Sequence, residues 1–148
     1  MASGALPGGY RIAFRTPPVA DYLRLRRDTG LSPFTERAAR TGLASTFVGV
    51  TLEHEQSTVG MGRVIGDGGL FFQVVDIAVL PAHQGKGLGK AIVAALLERL
   101  EERLAAPAYV SLVADGEARH LYARFGFEPV APKSIGMARR VGSAKAPA

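Results

Sequence analysis

The segment His83-Gln84-Gly85-Lys86-Gly87-Leu88-Gly89-Lys90 concentrates the groups that hold an anion. Gly85, Gly87 and Gly89 stand at alternate positions, and without a Cβ they let main-chain N–H groups converge on a ligand. An apolar run ending at Val79-Leu80-Pro81 precedes the segment, and a long amphipathic stretch from Ala91 to Ala105 follows it. The loop thus opens a helix, whose first amides have no intrahelical partner and whose dipole places partial positive charge there. Lys86 and Lys90 add two full charges, so phosphate or pyrophosphate is the expected guest. The plain alternative is a glycine-rich strand-to-helix turn with no ligand.

Two familiar phosphate patterns fail on this segment. A Walker loop ending in Gly89-Lys90 needs Gly at position 84 and Ser or Thr at position 91, where the chain has Gln84 and Ala91. A dinucleotide fingerprint needs its third glycine at Lys90 in one register, and Gly or Ala at Ile92 in the other. The segment instead resembles the acetyl-CoA pyrophosphate loop of the GNAT superfamily of N-acetyltransferases: Gln or Arg, two residues, Gly, one residue, Gly or Ala. Gln84, Gly87 and Gly89 fill that pattern. The resemblance implies pyrophosphate contacts from the amides of Gln84, Gly85, Lys86, Gly87, Leu88, Gly89 and Lys90. It also implies backbone contacts from Ile77, Ala78 and Val79 to the acetyl carbonyl and upper pantetheine, which would pair like an added strand. The N–H near Ile77 would stabilise the oxyanion of the tetrahedral intermediate.

The elements that must position this loop follow from apolar period and breakers. Tyr10 to Phe14 reads as a strand, and Pro17-Pro18 starts a helix over Val19 to Thr29 that stops at Gly30. A second helix is expected over Phe34 to Arg40, started by Ser32-Pro33 and broken at Thr41-Gly42. Strands follow over Thr46 to Leu52, Val59 to Ile65 and Leu70 to Val79, separated by turns at His54 to Gln56 and at Gly66-Asp67-Gly68-Gly69. After the glycine loop, Ile92, Val93, Leu96, Leu97, Leu100 and Leu104 form one apolar stripe. Tyr109 to Ala114 reads as a buried strand, Gly116 to Phe125 as a short helix and Phe127 to Met137 as a last strand or strand pair. A helix between two apolar strands suits a right-handed crossover joining parallel neighbours. The order resembles the GNAT fold from Tyr10 to Met137: an α/β (α+β) architecture, its mixed, mostly antiparallel sheet carrying one splayed parallel pair and about four helices. Residues 1–9 are expected to be flexible, 10–140 to form one domain and 141–148 to be a disordered tail.

A second motif, Leu121-Tyr122-Ala123-Arg124-Phe125-Gly126-Phe127, resembles the family's Leu-Tyr-x-x-x-Gly-Phe ending. The resemblance makes Tyr122 the general acid that protonates the leaving thiolate, with an amphipathic packing residue as the alternative. Asp115 falls where the family often has an Asn contacting pantetheine, and a helix N-cap would explain it equally. The base is less defined. Histone-type members carry Glu at the position of Gln73, and glutamine cannot take a proton. Asp76 is the nearest carboxylate, and strand alternation places it with Phe72, Val74 and Ala78 on a mostly apolar face, which would raise its pKa. A structural Asp pairing with Arg63 or a backbone group, or a water chain acting as base, are the alternatives. His54, His83 and His120 are not expected to serve as base, and no pair has metal-ligand spacing, so no metal is expected.

Composition bounds the rest. A chain of 148 residues suffices for one core, and no apolar run reaches the roughly 20 residues of a membrane span. No secretory signal core opens it and no cysteine is present, so cytoplasmic residence is the default expectation and an acyl-cysteine intermediate is excluded. The net charge of +5 is dispersed, without aromatic interleaving, and argues for a polyanionic cofactor more than for nucleic acid. Arg24, Arg26 and Arg27 read as a solvated helix face. The expected reaction is direct transfer from acetyl-CoA to a primary amine of a small molecule, its pocket lined by Phe34, Phe71, Phe72 and Gln73, with Asp67 or Asp76 attracting the ammonium. A peptide or protein amine, or a non-catalytic acetyl-CoA sensor, are the alternatives. No membrane partner is expected, and a homodimer is left open.

Overall fold

A computed structural model describes residues 5–142. The described residues divide into two compact units, the first ending at Leu112 and the second beginning at Val113. The expected flexible residues 1–4 and tail residues 143–148 lie outside the described residues.

The first unit is built on one five-stranded sheet in chain order: β1 (Tyr10–Ala13), β2 (Val48–His54), β3 (Ser57–Gly66), β4 (Phe71–Val79) and β5 (Tyr109–Ser111). The first four strands pair antiparallel and β4 pairs parallel with β5, as the order of elements implied. Helices α1 (Val19–Asp28) and α2 (Glu36–Ala44) cover one face, where Tyr22, Leu25, Ala39, Leu43, Met61 and Ala78 pack together. Helix α3 (Leu88–Arg103) covers the other through Leu88, Ile92, Val93, Leu96 and Leu100, each 2% exposed or less. That helix lies so close to the sheet that a Cβ on Gly62 would meet Ile92 Cγ2 at 2.7 Å and Leu96 Cδ1 at 2.8 Å.

Several expected boundaries move, each for a local reason. Helix α2 starts at Glu36 because the Thr35 side chain, not Ser32-Pro33, caps it by accepting the Ala38 amide at 3.1 Å. It then runs through Thr41 and Gly42 to Ala44. The β2–β3 turn uses only Glu55 and Gln56, at φ 48° and 65°, the two left-handed residues of a tight hairpin, so His54 stays in its strand opposite Ser57. Helix α3 begins three residues before the amphipathic stretch expected from Ala91, because Gly87 at φ 74° is its N-cap. Strand β5 covers only Tyr109–Ser111, and Tyr109 is exposed.

In the second unit, α4 (Ala118–Ala123) lies inside the expected short helix. No strand forms over residues 127–137. Pro129 and Pro132 lack the N–H that a ladder needs, and the Ser134 amide closes a turn onto the Val130 carbonyl at 3.0 Å. Among the described residues, no helix is long and apolar enough to cross a membrane.

Candidate active site

Strand β4 ends at Val79, and a single 3-10 turn over Pro81–His83 leads into the glycine loop. Gly85 and Gly87 adopt φ 79° and 74°, and a Cβ at either would find nothing within 4 Å. Glycine is needed there for the backbone conformation and the room it leaves. Among the described residues, the amides of Gly85, Lys86, Gly87, Leu88, Gly89 and Lys90 donate to no protein acceptor. The first that does is Ala91, to the Gly87 carbonyl at 3.1 Å. Six consecutive free donors at the positive end of a 16-residue helix make a cradle that could hold an anion such as pyrophosphate. The loop is braced from outside. Gln84 Nε2 donates to the Val79 carbonyl at 2.9 Å. The Tyr10 hydroxyl bonds His83 Nδ1 at 2.6 Å and accepts from Lys86 Nζ at 3.2 Å.

The strand leading to the loop has a free edge and a bulge. Parallel pairing with β5 ends at Gln73↔Ser111, so β4 from Val74 to Val79 has no strand neighbour on that side among the described residues. On the other side the register passes from Met61↔Ala78 to Arg63↔Val75, which leaves Asp76 and Ile77 together opposite Gly62. A bulge of this kind takes one residue out of the ladder and re-aims its neighbours. Asp76 takes φ 60°, and the Ile77 side chain turns toward α3, its Cδ1 2.8 Å from where a Gly62 Cβ would sit.

The bulge carries Asp76 onto the face of α1, where its carboxylate collects three donors. Arg26 Nη1 donates to Oδ1 at 2.5 Å, while Arg63 Nη1 and the Tyr22 hydroxyl donate to Oδ2 at 2.8 and 2.9 Å. All three charged side chains are less than a tenth exposed. Burial and the Asp76 charge hold the Tyr22 hydroxyl above the ordinary tyrosine pKa. Beside this cluster lies a cavity of about 180 Å³ lined by Tyr22, Phe34, Ala39, Leu43 and Arg63.

In the second unit, Tyr122 on α4 is 9% exposed and packs edge-to-face on Phe127, with ring centroids 6.2 Å apart. Burial first, and then the negative Asp115, raise its hydroxyl pKa, which keeps the phenol protonated. Gly126, at φ 85°, ends the helix. Asp115 is not a side-chain cap: the N-cap position is Glu117, with no side-chain cap bond, and Asp115 is exposed.

The family model for the acetyltransferase (GNAT) domain matches residues 45–129, more than half of the chain. The chain belongs to the GNAT acetyltransferase family. It is 36% identical over 76 residues to GCN5-related N-acetyltransferase 2, chloroplastic, of Arabidopsis thaliana, a stretch that is 51% of this chain and 29% of that protein. It is 32% identical over 74 residues to histone acetyltransferase TAP1 of Glycine max, half of this chain and 31% of that protein. The stretch matched is thus under a third of the length of these plant relatives. Among solved structures it is similar to protein SA2161 of meticillin-resistant Staphylococcus aureus, a probable acetyltransferase. There the TM-score is 0.84 at 42% identity, over 89% of this chain and 99% of that one. Glucosamine-6-phosphate N-acetyltransferase of Arabidopsis thaliana shares the fold at a TM-score of 0.63 and 19% identity, over 89% of this chain and 99% of that one.

GNAT enzymes use acetyl-CoA, and the free amides of the loop fit its pyrophosphate. Other expected placements need correction. Asp76 does not share a face with Phe72 and Val74, because the bulge breaks the alternation, and its surroundings are cationic rather than apolar. Phe72 is 2% exposed and packs on Phe47 beneath the sheet, so it is core and not pocket lining. Asp67 does not line the cavity beside Asp76. It accepts the amides of Leu70, Gly69 and Phe71 within its own turn, which hold its carboxyl below the usual range. Phe71 is exposed beside Tyr109. Phe34 does line the cavity, and half-buried Gln73 shares the face of Arg63. Tyr22 and Arg26 were missed. Their four-residue spacing put an arginine on the buried stripe of α1, the one signal that it was not a solvated residue. Among the described residues no group of three or more metal-ligating side chains occurs.

Proposed function

We propose that this chain transfers the acetyl group of acetyl-CoA directly to a primary amine of a small molecule. The observation that carries the reading is the run of six unpartnered amides from Gly85 to Lys90, which follows the free edge of β4 after a single turn. The loop residues take the pyrophosphate, and Ile77, Ala78 and Val79 offer strand-edge groups to the pantetheine. In the reaction the amine lone pair attacks the thioester carbonyl, the C–N bond forms, and the C–S bond breaks with its electrons leaving on sulfur. The Ile77 amide, beside the bulge, receives the developing oxyanion. Tyr122 gives its proton to the thiolate, a role drawn from its match to the family motif and supported by its raised pKa. Asp115, exposed just ahead of α4, is a further candidate contact to pantetheine.

In this reading Asp76 is a positioning residue. Both of its oxygens already accept hydrogen bonds from cationic or phenolic donors, so the proton released by the amine passes to water. A small acceptor is favoured over a peptide because the cavity beside the bulge holds about 180 Å³, below the roughly 300–1,000 Å³ of drug-sized sites. The test is release of free CoA with a panel of small amines, amino acids and peptides. Turnover confined to peptides would move the substrate assignment. Tight acetyl-CoA binding without turnover on any acceptor would favour a sensor.

A further inference from the structure

The wall of the small cavity carries one charged residue, Arg63, among apolar neighbours Phe34, Ala39 and Leu43. No carboxylate is free to greet an ammonium there, since Asp76 is shared between two guanidiniums and Asp67 does not line the cavity. The cluster of Arg26, Arg63 and Asp76 therefore holds two positive charges against one negative, with the excess next to the cavity. Arg63 also has donors to spare. Of five N–H groups, one each from Nε, Nη1 and Nη2 is taken by Thr46 Oγ1, Asp76 Oδ2 and the Gly42 carbonyl, at 2.8, 2.8 and 2.9 Å. One N–H remains on each terminal nitrogen and is available to an oxyanion.

We infer that the acceptor is a small amine that also carries an acidic group, a carboxylate or a phosphate, held by Arg63. This rests on the acetyl-transfer reading above. Arg63 acts as a specificity-determining residue: it fixes one end of the acceptor so that the amine meets the thioester at the bulge, where Asp76 adjoins Ile77. The excess positive charge serves the chemistry as well, because it disfavours an ammonium and favours the neutral amine that can attack.

The test compares matched pairs that differ only in the acidic group: glycine with methylamine, β-alanine with ethylamine, and phosphoethanolamine with ethanolamine. The acidic member of at least one pair is expected to show kcat/KM at least about tenfold higher, the worth of one charged hydrogen-bonded contact. Arg63→Lys, which keeps a charge for Asp76 but loses the fork, should shrink that ratio while acetyl-CoA affinity stays within about twofold. Equal or better use of every neutral partner overturns the inference and leaves acetyl transfer intact. If acetyl-CoA binds but none of these amines reacts, the CoA-bound protein is titrated with N-acetylglycine and N-methylacetamide. Preference for the acid supports the inference, and no preference overturns it. Failure to bind acetyl-CoA at all overturns the proposed function instead.

Discussion

Arg63 on β3 and Asp76 on β4 meet at 2.8 Å only because the strand between Val75 and Ala78 holds one residue too many. In an unbulged register the aspartate would point to α3. With the bulge it pairs with two guanidiniums on the opposite face and leaves Ile77 beside a break in the ladder. One irregularity thus serves both the charge balance of the acceptor side and the oxyanion contact proposed for the Ile77 amide.

Asp76→Asn should therefore be a stability variant before it is an activity variant. It leaves Arg26 and Arg63 buried without their counter-charge, a loss of about 3–5 kcal/mol by analogy with broken buried pairs. Urea denaturation checks this, and a change below about 1 kcal/mol would mean that water already screens the cluster.

Tyr122→Phe removes only a hydroxyl from a buried ring. Turnover should fall by about 10²–10⁴, the usual worth of a positioned acid, while acetyl-CoA affinity is nearly kept. Steady-state kinetics with calorimetry decide it, and unchanged turnover takes Tyr122 out of the mechanism.

Gly87→Ala meets no steric obstacle but must hold φ 74°. An alanine there costs about 1–2 kcal/mol, so acetyl-CoA binding should weaken by about 5–30-fold with the fold retained. Calorimetric titration of acetyl-CoA measures it, and undiminished affinity would separate the loop from the cofactor.

Gly62→Ala tests the bulge from the opposite strand. The new methyl would meet Ile92, Ile77 and Leu96 at 2.7–2.8 Å, an overpacking of about 1–3 kcal/mol. Because Ile77 is among the residues pushed, turnover should fall with stability. A fully active but destabilised variant would detach the Ile77 position from catalysis.

Stability should fall on the alkaline side. Tyr22 and Tyr122 both have folded-state pKa values above the ordinary 10.0, so between that value and the raised one the folded state holds protons that the unfolded state has lost. Their stabilisation is complete below pH 10 and declines as pH rises through the folded values. Urea midpoints from pH 8 to 11 should show the decline, and Tyr22→Phe should flatten it.

The glycine loop was legible in the sequence because everything it needs is local: three glycines, a preceding strand and the first turn of a helix. The same holds for α1, for the meander and for the parallel pair around α3. What stayed hidden depends on partners distant in the chain. Nothing around Asp76 announces a left-handed residue, and the bulge lies opposite Gly62, where the convergence of Ile77, Ile92 and Leu96 leaves no room for a Cβ. Phe72 looked like pocket lining because a strand has two faces and its own residues do not say which one is covered. The strand expected over residues 127–137 failed for a reason that was visible, the two prolines, outweighed by the apolar residues around them.

The brace on the glycine loop has a kinetic consequence. Tyr10, at the start of the first strand, ties His83 and Lys86 together through one hydroxyl, and Gln84 clips the loop to the end of β4. The conformational entropy of ordering the loop is therefore lost when the domain folds and not when acetyl-CoA arrives. Encounter should be limited by diffusion and orientation, with little temperature dependence beyond that of the solvent. Cutting the brace with Tyr10→Phe would slow association more than it speeds release.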